Sequence, residues 1–330
     1  MKNWFFLKLG IAIVAGFGLL IAGFYFWKPL NIAYYKYQIG SENKEAHAAA
    51  VKYLLEADAI EPVKYFYENR YASKDVHERL VVVDELCAFG DKGKKLMYDL
   101  FRARCMREQV LIPAGSFMMG SDNGTDDEKP VHKVTLSAFW MDKYEITNEK
   151  YYVFERCAKN FKMVGECPKE RELHPVGNVS WDDANSFAHW LNMRLPTEAE
   201  WEYACRAGST TDFCYGNKEN ELEEYAWIAN NSGGQTHKIG LKKPNNWGLF
   251  DIYGNASEWC KDFYHGKYYV SSPVENPIGP NSGWGHVRRG GNYFMRPNSC
   301  SSFIREMDDV LHSDEQLKAT GFRVCRSAGK

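Results

Sequence analysis

An α+β domain carried behind an all-α segment and a transmembrane helix is the architecture that this 330-residue sequence predicts. Three observations predict it. Leu9 to Trp27 is an uncharged run of 19 residues, and at about 1.5 Å of rise per residue a helix of that length crosses roughly 30 Å of bilayer hydrocarbon. Residues 41–106 carry apolar side chains at helical spacing. From Val110 the pattern turns to short alternating strands and Gly-rich turns interrupted by three helices. With 45% hydrophobic and 15% aromatic residues there is ample material for a packed core, which excludes disorder.

Residues 1–8 read as a cytoplasmic N-terminus, 9–27 as a signal anchor and 28–40 as a linker. Lys2 and Lys8 precede the apolar run, and Trp4, Tyr25 and Trp27 sit where interfacial aromatics belong. A cleaved signal peptide is the rival reading. Against it, the run is long and Phe24-Tyr25-Phe26-Trp27 offers no small-residue cleavage site. The rest of the chain is then extracytoplasmic, although Lys28 and Lys36 weaken the charge asymmetry across the run. Residues 1–109 hold 16 basic and 13 acidic side chains and residues 110–330 hold 25 and 30, so neither part has the basic excess of a nucleic-acid binder.

Residues 41–107 predict four helices. Ala46, Ala49, Ala50, Tyr53 and Leu54 make one apolar face on the first, and Pro62 suits the first turn of the second. Leu80, Val83 and Cys87 face inward on the third, Gly90 stops it, and Leu96, Met97, Leu100 and Phe101 repeat the pattern on the fourth. The pairing resembles two HEAT-type repeats, which pack on a neighbour; a helical spacer is the other reading.

In residues 108–330, Thr147 caps one helix, Ser180 with Asp183 a second, and Thr197 with Glu200 forms a capping box on a third. Trp181, Phe187, Trp190, Leu191, Trp201 and Tyr203 then read as core. Long stretches such as Asn217–Pro244 have no period and predict ordered loop. Nine cysteines are present. Cys157 and Cys167 bracket a polar insertion turned by Gly165 and Pro168, which suits a local disulfide in an oxidising compartment; two unrelated thiols are the alternative. No CxxC or paired-histidine motif accompanies them, His47 and His77 form no cluster, and His237 reads as a loop-packing residue.

Several ordered motifs carry a resemblance over about residues 112–326. They are Ile112-Pro113-Ala114-Gly115-Ser116-Phe117, Leu195-Pro196-Thr197-Glu198-Ala199-Glu200-Trp201-Glu202-Tyr203, Gly248-Leu249-Phe250-Asp251-Ile252-Tyr253-Gly254-Asn255-Ala256-Ser257-Glu258-Trp259, Arg289-Gly290-Gly291-Asn292 and Gly321-Phe322-Arg323-Val324. Together they resemble the formylglycine-generating, or sulfatase-modifying factor, family. The resemblance implies a C-type-lectin-like α+β fold whose loops are ordered by calcium. One calcium site maps onto Asp251 and Glu258 as carboxylate ligands and Gly254 and Ala256 as backbone carbonyl ligands; an Asx-turn without metal is the alternative. A second site falls near Trp227-Ile228, where tryptophan replaces the family's asparagine.

Formylglycine synthesis in the family resembled uses two cysteines, five residues apart, that hold Cu(I) as thiolates. Counted from Arg289, those positions are Met295 and Cys300, so the first cysteine is lost. Asn292 also replaces a serine, and Ser257 a tryptophan. A thioether is a soft ligand but lacks the second negative charge, which argues against copper. Cys300 then stands either as a remnant catalytic residue, as a structural thiol, or as a disulfide partner of Cys260. The sequence favours a membrane-anchored module that binds an envelope protein or glycan through a surface including Asn292, Tyr293, Arg296 and Ser299. The alternative is a divergent copper or non-haem oxidoreductase acting on protein cysteine.

Overall fold

The computed structural model describes residues 28–29, 31–158, 166–307 and 314–329. The expected membrane span, 9–27, lies outside them, and among the described residues no helix is long and apolar enough to cross a membrane. The chain divides into two compact units, residues 1–100 and 101–330.

In the first unit, residues 31–38 are helical and precede α1 (Lys44–Glu56), α2 (Ile60–Tyr71) and α3 (Val76–Ala88); α4 (Gly90–Arg107) begins here and ends in the second unit. Asn43 caps α1 by accepting from the N–H groups of Glu45 and Ala46, and Asp75 caps α3. The face that α1 buries is Ala50, Val51, Leu54 and Leu55, and Ala49 is exposed. This corrects the expected stripe by about one residue, because burying Val51 and Leu55 removes more apolar surface than burying alanines. His47 is spent internally, on the Ile39 carbonyl at 2.5 Å and the Tyr67 hydroxyl at 3.0 Å.

The division falls inside α4 rather than after it. Phe101 already belongs to the second unit, where its ring meets those of Phe187 and Trp190 at 6.3 and 5.7 Å.

The second unit is α+β. A three-stranded antiparallel sheet has the order β1 (Gln109–Ile112), β4 (Phe139–Asp142), β9 (Cys325–Ser327), and β2 (Gly115–Met119) pairs with β3 (His132–Leu136). A four-stranded sheet runs β7 (Glu306–Met307), β6 (His286–Arg289), β5 (Ser257–Phe263), β8 (Thr320–Gly321). Its register sets Glu258 opposite Arg289 on one side and Gly321 on the other, so three of the sequence motifs meet on adjacent strands. The helices are α5 (Asn148–Cys157), α6 (Trp181–Trp190), α7 (Glu198–Arg206) and the short α8 (Asp314–Lys318). Thr147 caps α5, and capping boxes form at Ser180/Asp183 and Thr197/Glu200. Phe187, Leu191, Trp201 and Tyr203 are buried as expected. Trp181 is half-buried, its indole N–H donating to the Cys260 carbonyl at 2.8 Å.

Candidate functional site

The site begins with a turn that only particular residues can make. Between Leu249 and β5 the chain is left-handed at Asp251, Gly254 and Asn255, with φ of +53°, +72° and +56°. A Cβ on Gly254 would stand 2.3 Å from the Trp227 carbonyl oxygen, so glycine is required there. The Asn255 N–H donates to that same carbonyl at 2.7 Å, and the Gly254 N–H to the Gly290 carbonyl at 2.8 Å.

Three buried carboxylates converge behind this turn. Glu145 accepts from the Ala256 N–H at 2.9 Å and the Asn255 amide at 2.7 Å. Asp251 accepts at one oxygen from the Gly240 N–H at 2.7 Å, and its other oxygen, Oδ1, is buried without a partner. Glu258 binds Arg323 through both oxygens, at 2.6 to 2.9 Å, and accepts from the Trp201 indole at 2.8 Å. Arg323 also donates to the carbonyls of Asp142, Lys143 and Phe250, which ties strand β4 and the turn together. Burial first, then the neighbouring Asp251 and Glu258, holds Glu145 well above the usual carboxylate range. Burial likewise pushes Asp251 up to about 6.

Both carboxylates expected to hold calcium, Asp251 and Glu258, are buried at this turn. Glu258 is committed to Arg323 and Trp201, and Glu145, which the sequence reading missed, faces the turn in its place. Its signal lay in a buried acid more than a hundred positions upstream, which no local spacing reveals. Among the described residues no three His, Cys, Asp or Glu side chains form a metal-binding group, so backbone carbonyls are needed to complete any cation site. The unpartnered Oδ1 and the excess of buried acid over Arg323 fit a divalent cation. Near the second calcium position, Trp227 stacks on His237 at 3.8 Å and takes the Lys242 ammonium 3.9 Å from its ring centroid. His237 also bonds the Ser232 carbonyl at 2.7 Å, a packing role.

The Arg-Gly-Gly strand end is built on a second buried ionic network. Arg289 donates to Glu198 at 3.0 Å, Glu202 at 2.7 Å, the Tyr269 hydroxyl, and the carbonyls of Ser302 and Ile304. Arg305 binds Glu198 from the other side at 2.6 and 2.9 Å. Gly291, at φ +69°, leaves room for Cys300, since a Cβ there would lie 2.4 Å from the Cys300 sulfur.

Cys300 is fully buried, and its thiol points at the Arg296 carbonyl at 3.5 Å. Burial first, then Glu306, pushes the thiol up to about 12. Met295 packs partly buried against the core, its carbonyl accepting from the Ala229 N–H. Cys260 and Cys300 are separate free thiols, so the structure does not contain the bridge to Cys260 that was one reading of Cys300. Cys167 is also a free, half-buried thiol here rather than closing a bridge to Cys157; residues 159–165 between them lie outside the described set. Asn292 is not a surface residue: it is 2% exposed, and its amide donates to the Ser257 hydroxyl at 3.1 Å. Tyr293 and Ser299 are half-buried, and Arg296 and Phe294 are exposed.

A thioether at 295 and a buried, protonated thiol at 300 do not fit a two-thiolate Cu(I) centre. Residues 99–328 match the sulfatase-modifying factor enzyme 1-like domain profile. The chain belongs to this family. It is similar to the formylglycine-generating enzyme of Streptomyces coelicolor, 29% identical over 287 residues that cover 69% of this chain and 91% of that enzyme. The serine/threonine-protein kinase pkn1 of Chlamydia pneumoniae is 36% identical over 207 residues, 56% of this chain and 33% of that kinase. Among solved structures, PvdO from Pseudomonas aeruginosa superposes with a TM-score of 0.57 at 26% identity, covering 66% of this chain and 94% of PvdO. Treponema denticola variable protein 1 gives 0.56 at 27% identity with the same two coverages.

Proposed function

We propose that this member of the family is an anchored extracytoplasmic binding module, not a formylglycine synthase. The observation that carries the reading is the pair Met295 and Cys300. One thiolate is replaced by a thioether, and the other sulfur is sealed from solvent with its thiol held protonated at neutral pH. What the surrounding segment offers instead is a contact surface: exposed Phe294 and Arg296 beside half-buried Tyr293, residue types enriched where proteins bind one another, with Ser299 half-buried in the same segment. An envelope protein or glycan is the partner class, and the helices of residues 41–107 are the spacer or repeat that carries the module away from a bilayer entered by residues 9–27.

Calcium belongs to this proposal as a structural ion. Asp251 with the carbonyls of Gly254 and Ala256 would hold it, Glu145 would face it, and its charge would offset the buried acids that Arg323 alone does not neutralise.

Anaerobic Cu(I) titration of the reduced protein tests the reading, together with incubation on a Cys-x-Pro-x-Arg peptide. Weak or no copper binding and no formylglycine are expected. Met295→Cys should gain tight copper binding. Copper-dependent oxidation of the peptide by the unaltered protein would overturn the module reading.

A further inference from the structure

A cleft of about 400 Å³ opens between the β3–β4 connection, the start of α7, strand β5 and the final described residues. That volume lies within the range of small-ligand sites. It shares no residue with the segment Asn292–Cys300 or with the acidic turn. The exposed apolar group of the cleft is Ile278, 63% exposed, with Pro277 and Phe139 buried behind it. Its segment is pinned in place. Asn276, left-handed at φ +45°, donates its N–H to the Thr135 carbonyl at 2.9 Å and accepts the Ser137 N–H at 2.8 Å.

The polar groups of the cleft are mostly committed. Arg194 forks onto Glu200 at 2.5 and 2.7 Å and touches the buried Cys325 sulfur at 2.9 Å. The N-terminus of α7 is satisfied by neighbouring acids: Thr197 N–H donates to Glu200, and Glu198 N–H to Asp262 of β5. Lys261 is different. It is exposed on β5, lines the cleft, and has no carboxylate within ion-pair distance among the described residues.

We propose that this cleft binds a small amphiphilic carboxylate, its acid paired with Lys261 and its apolar body laid on exposed Ile278. A phosphate is a poorer fit. A dianion needs several converging donors, which an uncommitted guanidinium or helix N-terminus would supply and this cleft does not, and Glu200 in the lining opposes a second negative charge.

Saturation-transfer NMR of the full-length protein with 3-phenylpropionate tests this, with 3-phenylpropanol as the uncharged counterpart. The acid should bind at ~1 mM, and Lys261→Gln should weaken it about fivefold, the scale of one exposed ion pair. Ile278→Ser should weaken acid and alcohol alike, and Lys238→Gln, an exposed lysine outside the cleft, should change nothing. Both substitutions that remove cleft contacts lie on the surface, so unchanged melting temperatures are expected and are to be checked. Absence of transfer at ~10 mM acid, equal affinity for acid and alcohol, or full binding by Lys261→Gln overturns the proposal.

Discussion

Replacing Asp251 by asparagine separates the charge of the acidic turn from its shape. Asparagine adopts the left-handed backbone of this position as readily as aspartate, and its amide oxygen can accept the Gly240 N–H as Oδ2 does. Only ionisation is removed. Burial is the main cause that raises this carboxyl from 3.8 to about 6. Because the folded value lies above the unfolded one, the stability it contributes is fully present below about 3.8 and is lost as pH rises through about 6. That interval corresponds to ~3 kcal/mol, an upper bound, since Asp251 titrates together with its acidic neighbours. The metal-free variant should therefore be about 1–3 kcal/mol more stable than the parent at about pH 7.5, and no more stable at about pH 4. For a unit of this size the gain reads as roughly 2–12 °C in Tm. Thermal melts in chelator across this pH range measure it. Added calcium should raise the parent's Tm near neutrality, by an amount that fades as pH falls through about 6, and should leave the variant unmoved. An asparagine variant less stable than the parent at about pH 7.5 in chelator would refute the reasoning, because the carboxylate charge would then be compensated by the fold alone.

Three further outcomes are expected. Arg289→Met strips a fully buried cation from Glu198, Glu202 and two carbonyls; it should cost about 3–5 kcal/mol by urea denaturation, and a loss under about 1 kcal/mol would contradict the network. In protein from its native compartment, non-reducing peptide mapping should recover Cys167 as an alkylatable thiol, and a peptide crosslinked to Cys157 would show that oxidation closes a bridge the structure does not contain. The full chain should resist carbonate extraction from membranes, with residues 41–330 open to protease from the outer face; protection in intact cells would reverse the orientation.

What could be read from the sequence was mostly what is decided within a few residues. Helix caps are of this kind: Thr147, Ser180 with Asp183, and Thr197 with Glu200 bond to N–H groups three positions away, so their chemistry is visible in any window that contains them. The two glycines after Arg289 were legible as a motif, but their cause was not. Gly291 is required by the sulfur of Cys300, which only the fold brings against it. Glu145 was missed for the same reason, since its partners Asn255 and Ala256 lie on a distant loop.

Asn292 is the instructive error. As one of several polar and aromatic residues in a Gly-rich segment it reads as surface, yet its amide is buried on Ser257. These are two of the positions at which the chain departs from the pattern of the family it belongs to, and in the structure they are one feature: the residue that lost a ring at 257 bonds the residue that gained an amide at 292. Met295 follows at once, its N–H donating to the Asn292 carbonyl at 3.0 Å. The departures at 257 and 292 are thus physically coupled through their side chains, and coupled positions do not contribute additively. Restoring cysteine at 295 alone returns a copper ligand to a cradle whose neighbouring side chains have been rebuilt. Met295→Cys should therefore recover metal binding more fully than turnover, and adding Asn292→Ser and Ser257→Trp together should change that result more than either does alone.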